Sequence, residues 1–116
     1  MKYLCLVYLE PGALAALSLE EQAALDEASL AYDRELERRG HFIAASALQG
    51  VGMASTIRRR SGASVVLDGP FAETKEALAG FIFIEARDMA QALEIAQGIP
   101  VGRYGAIEVR PELDIG

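Results

Sequence analysis

Two segments of this chain are apolar on both sides, and that restricts the folds open to it. Residues 2–9 (KYLCLVYL) place Leu4, Leu6 and Tyr8 at one parity and Tyr3, Cys5, Val7 and Leu9 at the other. Residues 79–85 (AGFIFIE) do the same, with Phe81 and Phe83 against Ile82 and Ile84. Successive side chains of a strand point to opposite faces, so a strand apolar at both parities needs cover on both. A chain of 116 residues makes one domain and leaves no room for a second core. Its helical segments can cover one face of a sheet and nothing remains for the other. An exposed apolar patch of several hundred square ångströms forgoes many kcal/mol at about 25 cal/mol per Å². The pattern therefore predicts a homodimer packed sheet to sheet, with any pocket between or beside the sheets.

The remaining segments supply the order of elements. Ser18 followed by Glu20 and Glu21 is a capping-box helix start, and Arg38, Arg39 and Gly40 are a helix end. Between them Leu25, Ala28, Tyr32 and Leu36 recur at helical spacing as the inner stripe, with Asp26, Asp33 and Glu37 mostly elsewhere. Residues 41–48 read as a second strand. Residues 54–60 and 64–67 flank Ser61-Gly62-Ala63 as a hairpin, closed by Asp68-Gly69-Pro70-Phe71. After the strand at 79–85, Asp88 caps a second helix with Met89, Ala92, Leu93 and Ala96 on one side. Gly98 and Pro100 stop it, and residues 106–110 close the sheet. The result is a single α+β domain spanning residues 1–116, a ferredoxin-like βαββαβ sandwich with an extra hairpin.

Charge and rare residues exclude several functions. Eleven basic residues against 17 acidic ones give a net charge of −6, the wrong sign for coating nucleic acid. The one cysteine, Cys5, forms no internal disulfide and reads as a small core hydrophobe. Cys5 and His41 together fall short of a structural zinc site, and no metal or cofactor is expected. There is no phosphate loop, dinucleotide fingerprint or nucleophile elbow. The N-terminal apolar run alternates and meets Glu10 and Pro11, unlike a signal peptide, and no stretch is long enough for a membrane span. A soluble, cytoplasmic protein is the expectation.

The string Asp68-Gly69-Pro70-Phe71-Ala72-Glu73-Thr74-Lys75-Glu76 is the most informative motif. With the MKYLCLVY opening, the long acidic-start helix, the AGFIFIEA strand and the closing Ile107-Glu108-Val109-Arg110-Pro111, it resembles the YCII-related proteins, in particular their DGPF-domain branch. The resemblance spans nearly the whole chain. It implies a dimeric ferredoxin-like α/β-barrel, enzymatic activity through a histidine and an aspartate, and in some members a link to sigma factors.

Candidate site residues follow from the motif. Gly69 permits conformations closed to other residues and Pro70 fixes its own φ, so together they hold Asp68 at a strand end, with Phe71 buried as the anchor. Such a carboxylate serves as a general base or an orienting group, or else accepts bonds from amides of its own turn. His41 is the one side chain with an ordinary pKa suited to proton transfer near neutrality; the alternative is a helix-end histidine complementing the dipole. It follows the long helix, whereas the histidine implied by the resemblance precedes the helix or lies within it, so only Asp68 occupies a matching motif. Lys75 reads as a surface ion pair or a pocket-lining cation. Arg58, Arg59 and Arg60 read as a solvated hairpin arm, with an anion site as the sharper alternative. Glu108 and Arg110 share one face of the closing strand. Two functions fit: a cofactor-free enzyme acting on a small organic molecule in an intersheet cleft, or a non-catalytic regulatory module meeting a partner such as a sigma factor.

Overall fold

The computed structural model describes residues 1–116. The elements run β1 (Lys2–Leu9), α1 (Leu19–Arg38), β2 (Phe42–Ala47), β3 (Ser55–Arg60), β4 (Ala63–Asp68), β5 (Ala77–Glu85), α2 (Met89–Gln97) and β6 (Ala106–Pro111). Short 3₁₀ turns lie at Val51–Met53 and Pro100–Tyr104. Strands β2, β5, β1 and β6 form a four-stranded sheet in that order, antiparallel throughout, and β3 and β4 form a separate two-stranded ribbon. The order is compatible with the ferredoxin-like α+β arrangement expected.

Local chemistry accounts for the element ends. Ser18 Oγ accepts from the Glu21 N–H at 3.0 Å, and Glu21 Oε1 accepts from the Ser18 N–H at 3.0 Å, which completes the capping box. At the other end of α1, Gly40 takes φ +81 while His41 N–H donates to Leu36 O at 2.8 Å and Gly40 N–H to Glu37 O at 3.1 Å. That is a Schellman stop, and it is why β2 can begin at once. Asp88 Oδ1 caps α2 through the Gln91 N–H at 2.9 Å.

Parity decides the core. Tyr3, Cys5, Val7 and Leu9 of β1 and Ile82 and Ile84 of β5 are buried. Of these, Tyr3, Cys5, Ile82 and Ile84 join Leu36, Ala92, Ile95, Ala96 and Ile99 in one cluster. Both helices therefore cover the same face. The inner stripe of α1 differs by one position from the expected set: Ser29, not Ala28, lies half-buried in line with Leu25, Tyr32 and Leu36, and Ala28 is exposed. On α2, Leu93 is 45% exposed and Ile95 takes the inward place. Tyr32 fastens the two helices together, its hydroxyl donating to Ile95 O at 2.6 Å.

Cys5 is fully buried, and burial pushes its thiol up to about 11. The unfolded chain ionises this thiol from about pH 9 while the folded one holds its proton, so stability declines as pH rises from about 9 towards 11. We expect Cys5 to react with a disulfide reagent at pH 8 only as fast as the protein unfolds. Labelling on mixing, with native circular dichroism retained, would contradict this.

The opposite face of the sheet carries Leu4, Leu6, Tyr8, Phe81 and Phe83, with Leu4 opposite Phe83 and Leu6 opposite Phe81. Glu108 and Arg110 stand beside Leu6 and Leu4 in the register and pair with each other at 3.4 Å. A thickness of 19 Å is one sheet plus one helix layer. The radius of gyration is 16.0 Å, against about 13 Å for a compact domain of this length. The excess comes from the β3–β4 ribbon, which has no extensive contact with any other element.

Candidate functional site

The DGPF turn is built by hydrogen bonds to β3. Gly69, at φ +93, donates its N–H to Ala54 O at 2.7 Å and accepts from the Thr56 hydroxyl at 2.8 Å. Arg58 Nη2 then donates to Phe71 O at 3.0 Å. The anchor of the turn is thus backbone polarity. The Phe71 ring, expected to be buried, is 75% exposed, because a two-stranded ribbon has no second layer for it to enter. Pro70 is half-buried. The Asp68 side chain is exposed and has no hydrogen-bond partner in the subunit, not even an amide of its own turn. Lys75 pairs with Glu10 at 3.5 Å, both well exposed. Arg59 Nη1 donates to Gly62 O at 3.2 Å, and all three arginines of the run are exposed.

His41 lies elsewhere. Its Nδ1 donates to Glu85 O, a backbone carbonyl, at 2.8 Å. Backbone pairing with Glu85 places it at the C-terminal end of β5. The DGPF turn leads into the other end, at Ala77, about 26 Å away by strand rise. Within one subunit, Asp68 and His41 are not brought together.

A groove between α1 and the sheet has a volume of about 520 Å³. Its floor carries Val7, Leu9, Ala45, Ala47, Gly80 and Ile82, and Leu25 and Leu30 of α1 overhang it. The cause lies in side-chain size. Under the C-terminal half of α1, Leu36 and Tyr32 reach the core, whereas in the groove the small residues Ala45, Ala47 and Gly80 lie among Val7, Leu9 and Ile82. Gly80 cannot be enlarged, since a Cβ there would stand 2.7 Å from Ser46 O. The polar wall is Asp26, Ser29 and Asp33, three and four residues apart on one side of α1. Burial raises the Asp33 carboxyl above its ordinary value of 3.8. Asp68, His41 and Lys75 line neither this groove nor a more open hollow of about 490 Å³ between α2 and β6. The charged residue of that second hollow, Arg103, lies 5.3 Å over the Tyr104 ring.

A groove of this size, mostly apolar with a few converging polar groups, is the usual form of a small-molecule site. Comparison with known proteins places the chain. The model of the YCII-related domain matches residues 1–115. This chain belongs to the YCII-related family. An uncharacterized protein of Rhizobium meliloti is 34% identical to it over 113 residues, covering 96% of this chain and 91% of the relative. Among solved structures, the YCII-related chain is similar to 5-chloro-2-hydroxyhydroquinone dehydrochlorinase from Burkholderia phenoliruptrix, in complex with 2,5-dihydroxybenzoquinone. The TM-score is 0.58 at 16% identity, over 97% of this chain and 94% of the other, a likeness of fold.

Asp33 is the residue that sequence reasoning passed over. Asp26 and Asp33 are seven apart and adjoin the stripe of Leu25, Tyr32 and Leu36, which was a visible signal. Without the small-residue floor beneath them, they read as two solvated carboxylates. No helix of the YCII-related chain is long and apolar enough to cross a membrane.

Proposed function

We propose that this chain is a homodimeric, cofactor-free enzyme acting on a small, largely apolar organic molecule, and that the molecule sits in the groove between α1 and the sheet. The observation that carries this reading is the Asp33 carboxyl, partly desolvated at the wall of an apolar recess. A carboxyl in that setting holds a proton more readily than one in water and accepts a hydrogen bond from a phenolic or enolic hydroxyl without competing solvent. Ser29 and Asp26 offer further polar contacts on the same wall. The fold neighbour's bound dihydroxybenzoquinone, a small oxygenated ring, supports the size and class of ligand. The dimer is supported by the uncovered face of Leu4, Leu6, Tyr8, Phe81 and Phe83. Asp68 and His41 keep a proposed part in chemistry between copies, since neither lines this groove or the hollow between α2 and β6.

The test is calorimetric titration with 2,5-dihydroxybenzoquinone. We expect saturable binding, weakened about tenfold or more by Asp33→Asn, a loss of about 1.4 kcal/mol or more. The same variant is expected to fold as stably as the parent at neutral pH. A raised carboxyl pKa means that ionisation costs the folded state more than the unfolded one, so stability falls as pH rises through its titration, and the neutral amide escapes that loss. Equal affinity in Asp33→Asn, or no saturable binding by the parent, would sink the assignment.

A further inference from the structure

We propose that the groove between α1 and the sheet takes its ring ligand uncharged, with the hydroxyl protons in place, and that Asp26 and Asp33 turn away the anion of the same ring. This rests on the groove reading given above and adds the charge state of the ligand. Every ionisable side chain lining the groove is an aspartate: Asp26 and Asp33 stand on α1, and the remaining walls contribute none. Ser29 and Ser46 are its other polar side chains, both neutral. The chain has 11 basic residues, and none of them lines this recess.

The two carboxylates are also uncompensated. Neither enters a salt bridge. On a helix, a charge partner stands three or four residues away. For Asp26 those positions hold Gln22, Ala23, Ser29 and Leu30, and for Asp33 they hold Ser29, Leu30, Leu36 and Glu37. No base is among them, although Arg34 and Arg38 lie on the same helix. Burial raises the Asp33 carboxyl, and no cation acts against that rise. An anion brought to this wall meets like charge beside apolar surface, where the effective dielectric is well below that of water. It also gives up hydration that no donor of positive charge in the groove replaces. A neutral hydroxyl fares differently, because it donates to the Asp33 carboxylate and forms a charge-assisted hydrogen bond. Ser29, four residues earlier on the same side of α1, is placed to donate to a second ring oxygen. 2,5-Dihydroxybenzoquinone, a vinylogous acid, enters under the same rule with its hydroxyl protons in place.

Calorimetric titration of the full chain at pH 7 tests this with two rings of one size, 2,5-dihydroxybenzamide and 2,5-dihydroxybenzoate, which differ in charge. The amide is expected to bind about tenfold or more tighter than the carboxylate. In the double variant Asp26→Asn, Asp33→Asn the amide loses its acceptor and weakens, and the two affinities are expected to come within about twofold of each other. Neither residue belongs to the buried cluster, so the variant keeps the fold, which circular dichroism checks. Equal affinities in the parent, or a preference that survives in the double variant, would overturn the charge rule and leave the groove reading standing. Saturable binding of neither ring, nor of 2,5-dihydroxybenzoquinone, would overturn the groove reading and this inference with it.

Discussion

Phe83→Glu is expected to yield a folded subunit of 12.4 kDa by light scattering, where the parent, as the proposed dimer, is expected to have twice that mass. Phe83 lies opposite Leu4 on one side and Ala44 on the other, on the face away from both helices. In the subunit its replacement removes nothing from the cluster of Tyr3, Cys5, Leu36, Ile82 and Ile84. Circular dichroism and cooperative melting should therefore survive. In a sheet-to-sheet dimer the two-fold axis brings each glutamate into an apolar contact without a counter-charge. Breaking a buried environment in this way costs about 3–5 kcal/mol per unpaired charge, and each dimer contains two. A micromolar dimer does not survive that. If Phe83→Glu keeps the parent mass, the open face is not the contact.

Leu36→Ala is expected to have the largest effect on folding. Leu36 is the fully buried residue of α1, 0% exposed, and it packs in the cluster with residues of β1, β5 and α2. Truncating a buried leucine costs about 2–5 kcal/mol, depending on how far the site collapses. For a domain of this size that lowers the melting temperature by about 10–25 °C. Leu30→Ala is the control: Leu30 is 58% exposed at the rim of the groove and should shift the melt by only a few degrees. The contrast carries a functional meaning. If Leu36 holds the C-terminal half of α1 while the N-terminal half spans the groove, the helix is anchored at one end and open at the other. Similar losses for the two variants would contradict that picture.

Much of the fold was legible because its signals are local. Ser18 and Glu21 satisfy each other's backbone donors across three residues, and Gly40 reaches a left-handed conformation that ends the helix. The parity of Leu4 and Leu6 against Cys5 and Val7 is a property of one strand. It foretold two apolar faces without saying which the helices would take. The candidate site was less legible. Asp68 was singled out through its motif, yet it lines neither the groove under α1 nor the hollow between α2 and β6; Phe71 was expected to be buried as the anchor of its turn and is exposed. Asp33 was passed over because its setting comes from Ala45, Ala47 and Gly80, residues distant in sequence and silent in any motif. Choosing Ala28 over Ser29 for the inner stripe of α1 was the same error. Hydrophobicity favours the alanine, but Ser29 is the half-buried residue and lines the groove.

From its order of residues alone, the chain determined where helices start and stop, which strands alternate, and that one apolar face would remain after the helices were placed. These outcomes depend on neighbours within about one helical turn or on strict alternation, where a residue's options are set by backbone sterics and cap chemistry. Only the tertiary structure decided that a groove opens between α1 and the sheet, that burial reaches Asp33, and that His41 pairs with the end of β5 opposite the one the DGPF turn leads into. Those relations join residues far apart in the chain. Desolvation and cavity shape belong to the packed assembly and have no counterpart in a single segment.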